Sequence, residues 1–86
     1  MQKISLLCFL DENGTSKLQD SIIKEIEKDF KKVDFKRING ENEAMSKYNI
    51  KEFPTILIEV DGEVKIRFSG LTQQLFLRRA LDKLIK

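Results

Sequence analysis

The chain has 86 residues and a mass of 10.1 kDa, room for one domain around one core. Hydrophobic residues make up 41% and charged residues 35%, and 16 Lys and Arg stand against 14 Asp and Glu, so the net charge is +2 and lacks the basic excess of a nucleic-acid binder. One Cys and no His exclude an intrachain disulfide, zinc sites of Cys and His, and catalytic sets of the Ser-His-Asp or Cys-His type.

No apolar run approaches the ~20 residues that span a bilayer. The run from Ile4 to Leu10 is short and is followed by Asp11 and Glu12 rather than by small residues, so no signal peptide is expected. A single thiol without an export signal points to a reducing compartment, the cytoplasm. Nothing in the composition calls for a metal or a cofactor, and neither is expected.

Ile4 to Leu10 reads as a strand covered on both faces, as in the middle of a parallel sheet. Asp11 to Thr15 is a loop. Ser16 is a suitable N-cap with Gln19 three residues on, opening a helix from about Lys17 to Lys31. Leu18, Ile22, Ile26 and Phe30 form its apolar stripe, widened by Ile23, and Lys24, Glu27, Lys28 and Lys31 form a solvated face. Val33 to Ile38 is a less apolar strand, suited to a sheet edge, and Asn39 to Asn42 is a turn. Glu43 to Tyr48 is a short helix with Ala44, Met45 and Tyr48 inward, ended by Asn49 in the left-handed region.

Phe53-Pro54-Thr55 introduces a third strand, Ile56 to Val60. Asp61-Gly62 is a two-residue hairpin signal, and Glu63 to Phe68 is the returning strand, with Val64, Ile66 and Phe68 on one face and Lys65 and Arg67 on the other. Gly70 ends it. Thr72 caps a last helix reaching about Lys86, with Leu77, Ala80, Leu81, Leu84 and Ile85 as its apolar stripe. The order is β-α-β-α-β-β-α. The first β-α-β unit makes a parallel pair, the hairpin an antiparallel one, and helices must cover both faces to bury the apolar runs.

The residues Tyr48-Asn49-Ile50-Lys51-Glu52-Phe53-Pro54-Thr55 resemble a stretch of the thioredoxin-like superfamily, in which a helix ends in Tyr-Gly, a Val or Ile follows, and four residues later a Pro-Thr opens a strand. Asn49 replaces the Gly. Ile56-Leu57-Ile58, Asp61-Gly62 and Arg67-Phe68-Ser69-Gly70 follow the family's hairpin. The resemblance implies an α/β thioredoxin-like fold with a four-stranded mixed sheet, and a cis Phe53–Pro54 bond. It also implies that Phe53, the residue before that proline, offers its backbone N–H and C=O to an extended peptide.

The chain departs from the family where redox members carry Cys-x-x-Cys at the start of the first long helix, a position that lowers a thiol pKa. Aligned on the helix stripe, that motif falls on Asn13-Gly14-Thr15-Ser16, and no Cys follows Cys8 anywhere in the chain. A Ser16 hydroxyl ionises far too weakly to replace a thiol.

Each candidate for chemistry has a plainer reading beside it. Cys8 is either a one-cysteine oxidoreductase's thiol or a small buried hydrophobe. Asp11 and Glu12 are either an acid–base or metal pair or a solvated loop near a positive helix end. The Asn13–Ser16 loop either binds an anion or is a capped turn. Tyr48 and Phe53 either form an exposed aromatic platform or pack inward. Lys65 and Arg67 either meet an acidic partner or guard an edge strand against aggregation. The leading expectation is a redox-inactive domain that is not an enzyme. It would bind a protein or extended peptide, not nucleic acid or membrane, through a groove of Asn13, Gly14, Thr15, Ser16, Phe53, Pro54, Thr55, Ser69 and Gly70. The alternative is a thiol-disulfide oxidoreductase using Cys8.

Overall fold

Seven consecutive buried residues, Ile4–Leu10, form β1. In the computed structural model, which describes residues 2–40 and 43–85, the other elements are α1 Gly14–Glu27, β2 Asp34–Asn39, α2 Glu43–Lys47, β3 Thr55–Val60, β4 Glu63–Ser69 and α3 Gln74–Ile85. The sheet order is β2-β1-β3-β4. β1 runs parallel to β2 and antiparallel to β3, and β3 runs antiparallel to β4. The two apolar strands are central and the two polar ones are edges. β1 is therefore covered on both faces within a mixed sheet, not within a parallel one.

Alternation along β1 sends side chains to two cores. Leu6, Cys8 and Leu10 join Ile56 and Ile58 of β3 against Ile23 and Ile26 of α1 and Leu77 and Leu81 of α3. Leu7 and Phe9 join Leu57 and Ile50, with Met45, Tyr48 and Phe53 packed alongside. Two helices thus cover one face and α2 covers the other.

Helix ends depart from the sequence reading. α1 starts earlier than Lys17 because Asn13, not Ser16, is its N-cap: the Asn13 side chain accepts a hydrogen bond from Ser16 N–H at 3.0 Å. It also ends before Lys31, with Lys28 as its C-cap. Its buried face is Ser16, Gln19, Ile23 and Ile26, while Leu18 is 51% exposed and Ile22 only half-buried. Phe30 lies beyond the helix and still packs on the core. The Leu18-based stripe is displaced because two polar residues, Ser16 and Gln19, have partners inside.

Gln19 is not half of a capping box. Its buried amide donates to Thr72 C=O at 3.0 Å and accepts from Thr72 N–H at 2.7 Å. Thr72 accordingly does not cap α3; its hydroxyl donates to Gly70 C=O at 3.2 Å, and it is Gln73 C=O that accepts from Phe76 and Leu77 N–H of α3. In α3 the stripe holds at Leu77, Ala80 and Leu81, but Ile85 is 49% exposed. Lys86 lies outside the described residues, as do residues 41 and 42 of the turn read at Asn39–Asn42, in which Asn39 is the last residue of β2 and Gly40 has φ +67°.

The Asp61-Gly62 hairpin has positive φ at both central residues, 53° and 84°, the type I′ geometry. Close after it, Ile58 faces Ile66 and Glu59 faces Val64, so Lys65 is an extra residue and β4 is bulged. Neighbours on β3 point to opposite faces. Val64 is therefore separated from Ile66 and Phe68, which alone of the three pack on the first core.

Candidate functional site

Register brings three chain segments to one end of the sheet. Phe9 pairs with Thr55 and Thr55 with Ser69. The turn after β1, the Phe53–Pro54 entry to β3 and the Ser69–Gly70 exit from β4 all lie at this end. The Phe53–Pro54 peptide is cis. Gly70 N–H donates to Pro54 C=O at 2.8 Å, and Gly70 has φ +83°, a backbone conformation that suits glycine. Thr55 is buried and its hydroxyl donates to Glu52 C=O at 2.8 Å.

Phe53 itself stands open in its main chain. Its ring packs on the second core, yet neither its N–H nor its C=O has a hydrogen-bond partner among the described residues. Pro54, by contrast, is buried and its carbonyl is satisfied. Tyr48 does not join Phe53 in a platform. Its ring meets Phe9 edge-on at 6.0 Å, and its hydroxyl donates to buried Glu59 at 3.0 Å. Burial, then the hydrogen bond and charge of Glu59, raise its pKa.

The α1 entrance is organised by Asp11. Its carboxylate accepts from Ser16 Oγ at 2.7 Å, Asn13 N–H at 3.1 Å and Asn13 Nδ2 at 2.7 Å, while Asp11 N–H donates to Ser16 Oγ at 3.0 Å. Ser16 is almost fully buried in this turn, so of the four loop candidates only Asn13, Gly14 and Thr15 face solvent. Asp11 and Glu12 form no acid pair: one is consumed by the turn and the other is exposed. Among the described residues no three Cys, Asp or Glu side chains come together to hold a metal ion.

Cys8 lies apart from this end group. It points into the first core, fully buried, two residues before the end of β1. Burial pushes its thiol up to about 12, against a lowering effect of Arg37 and a further raising effect of Asp20. Desolvation penalises the thiolate more than the nearby cation helps it.

Arg37 of β2 explains part of the face read as solvated. It donates to Asp20 and to Glu27 of α1, and Lys24 pairs with Asp20 at 3.5 Å. Burial acts to raise the Asp20 pKa, but the hydrogen bond and charge of Arg37, with Lys24, outweigh it and hold the carboxyl below its ordinary value. Arg67 likewise has a local role: its guanidinium donates to Tyr48 C=O and ties β4 to the end of α2. Lys65 pairs with Glu63 at 3.3 Å. Sequence reasoning missed the Gln19–Thr72 and Arg37–Asp20–Glu27 links, since each joins residues that only the fold makes neighbours.

This sheet order, with α1 and α3 on one face and α2 on the other, is the thioredoxin-like fold. Three solved thioredoxin structures resemble it. Thioredoxin-2 of the malaria parasite, described as a component of its protein secretion machinery, superposes with a TM-score of 0.89 at 15% identity over 95% of this chain and 84% of that one. Thioredoxin from Trypanosoma brucei brucei gives 0.87 at 23% identity, covering 96% and 75%. Fasciola hepatica thioredoxin gives 0.85 at 23%, covering 94% and 80%. No family model matches the sequence, and no curated protein matches it significantly.

Proposed function

We propose that this chain is a redox-inactive thioredoxin-like domain that binds an extended segment of another protein beside Pro54. The observation that carries the reading is the open main chain of Phe53, an N–H and a C=O without partners among the described residues at the rim of the sheet. Unpaired backbone groups at the entry to a strand can bond an extended segment of a partner, where main-chain hydrogen bonds supply affinity without any thiol. Asn13, Gly14 and Thr15 on one side and Ser69 and Gly70 on the other border the site, and Thr55 fixes its floor. Ser16 contributes by holding the turn rather than by contact.

Oxidoreductase chemistry at Cys8 is disfavoured on physical grounds. With a pKa of about 12, the thiolate fraction at neutral pH is on the order of one in 10⁵. The sulfur is also inaccessible to a partner disulfide. In this reading the domain works in the cytoplasm, without a cofactor.

The test is to compare proteins captured from a lysate by wild type, Phe53→Ala and Phe53→Pro. Alanine keeps the main-chain pair and should retain the captured set. Proline removes the N–H and should lose it, with circular dichroism confirming that the variant is folded. Equal capture by folded Phe53→Pro removes the groove from the account.

A further inference from the structure

The open backbone of Phe53 is flanked in sequence by a side chain that selects what can pair with it. Glu52 is exposed, and its carboxylate forms no hydrogen bond or ion pair among the described residues. Its Oε1 lies 3.7 Å from where a Cβ on Gly70 would stand, so it is directed across the glycine at the exit of β4. Gly70 in turn is bonded to Pro54, immediately after Phe53. The free carboxylate and the free main chain thus share one rim.

The geometry points to Glu52 as the residue that sets partner specificity, favouring an extended segment with a Lys or Arg beside the residue that pairs with Phe53. This rests on the peptide-binding reading above. The chain bends at Glu52 and Phe53, just ahead of β3, so a segment bonded to the Phe53 main chain passes the exposed Glu52 carboxylate, where a Lys or Arg gains an ion pair. Gly70 leaves the space over Glu52 clear of a side chain. Lys51, the next residue back, is exposed, so this stretch presents both signs of charge. The preference is therefore positional rather than a matter of overall charge.

Phage-displayed random octapeptides, selected on the purified wild-type chain, on Glu52→Gln and on Glu52→Lys, test the inference. The wild-type pool should show Lys or Arg enriched at a single aligned position. The enrichment should vanish with Glu52→Gln and turn to Asp or Glu with Glu52→Lys. A wild-type-selected basic peptide should bind Glu52→Gln about three- to fivefold more weakly by fluorescence anisotropy, the size expected of an exposed ion pair, with the difference shrinking in high salt. Basic enrichment that persists unchanged in Glu52→Gln, or a wild-type pool with no basic position, overturns the role of Glu52 while leaving peptide binding intact. A wild-type pool no richer than that from an unrelated control protein overturns the peptide-binding reading itself.

Discussion

Asp11 and Glu12 are adjacent in the chain and differ entirely in role. Asp11 gathers Ser16 and Asn13 into the turn that opens α1, whereas Glu12 is left to solvent. The residue types forecast a polar loop, but which oxygen meets which donor depends on the path of the turn. Cys8 was legible as a buried strand residue from its place in an apolar run, and the same place determines its chemistry. The folded chain holds its proton up to about pH 12, whereas an unfolded chain releases it near the ordinary thiol value of 9.0. Because the folded-state pKa is the higher one, Cys8 leaves stability untouched below about pH 9 and lowers it as pH rises from there toward 12. The difference in unfolding free energy between wild type and Cys8→Ala should therefore decline in that window, by up to about 1.4 kcal/mol per pH unit. Cys8 should also resist a thiol reagent at pH 8 until denaturant is added. Rapid labelling of the native chain would remove the basis for calling it inert.

At the scale of elements, periodicity located the seven found among the described residues but placed their ends and faces less well. α1 shows why. Leu18, Ile22, Ile26 and Phe30 look like the buried stripe to any measure that scores hydrophobicity, yet Gln19 is fully buried and Leu18 is half exposed. Both polar ends of the Gln19 amide are matched by Thr72. A polar residue with all its partners inside is inexpensive to bury, at a net gain of about 1 kcal/mol per hydrogen bond. No local signal announces a partner 53 positions away. The hairpin is the contrary case, since Asp61-Gly62 states its own turn type. Gly62 has φ +84° and open space where a Cβ would stand, so Gly62→Ala should destabilise by about 1 kcal/mol through backbone strain alone, measured by chemical denaturation. A neutral substitution would mean that the turn relaxes to another type. The bulge at Lys65 was invisible because a regular alternation and a bulged one have the same sequence pattern until the partner strand is known.

For the whole molecule, the sheet order explains how a fold associated with thiol exchange can persist here without the sulfurs. The cores on both faces draw on strand and helix residues, and nothing in them requires the two cysteines at the start of α1. Asn13 supplies the helix cap and Ser16 the buried hydroxyl at that place. The purified chain should not accelerate insulin disulfide reduction by dithiothreitol, read as turbidity, at any concentration where a redox thioredoxin would. Acceleration abolished in Cys8→Ser would restore the oxidoreductase alternative.

Apolar runs, their periods and the turn residues between them determined by themselves the order of strands and helices, because these follow from each residue's preference and its nearest neighbours. The same residues, through the absence of a second Cys, determined that no Cys-x-x-Cys chemistry is possible. Tertiary structure alone decided that Phe53 keeps its backbone unpaired among the described residues while Pro54 bonds Gly70, that Glu52 lies across that glycine, and that Gln19 reaches Thr72. Those are relations between segments distant in the chain, and a backbone group is left open or closed only by what the rest of the fold brings beside it.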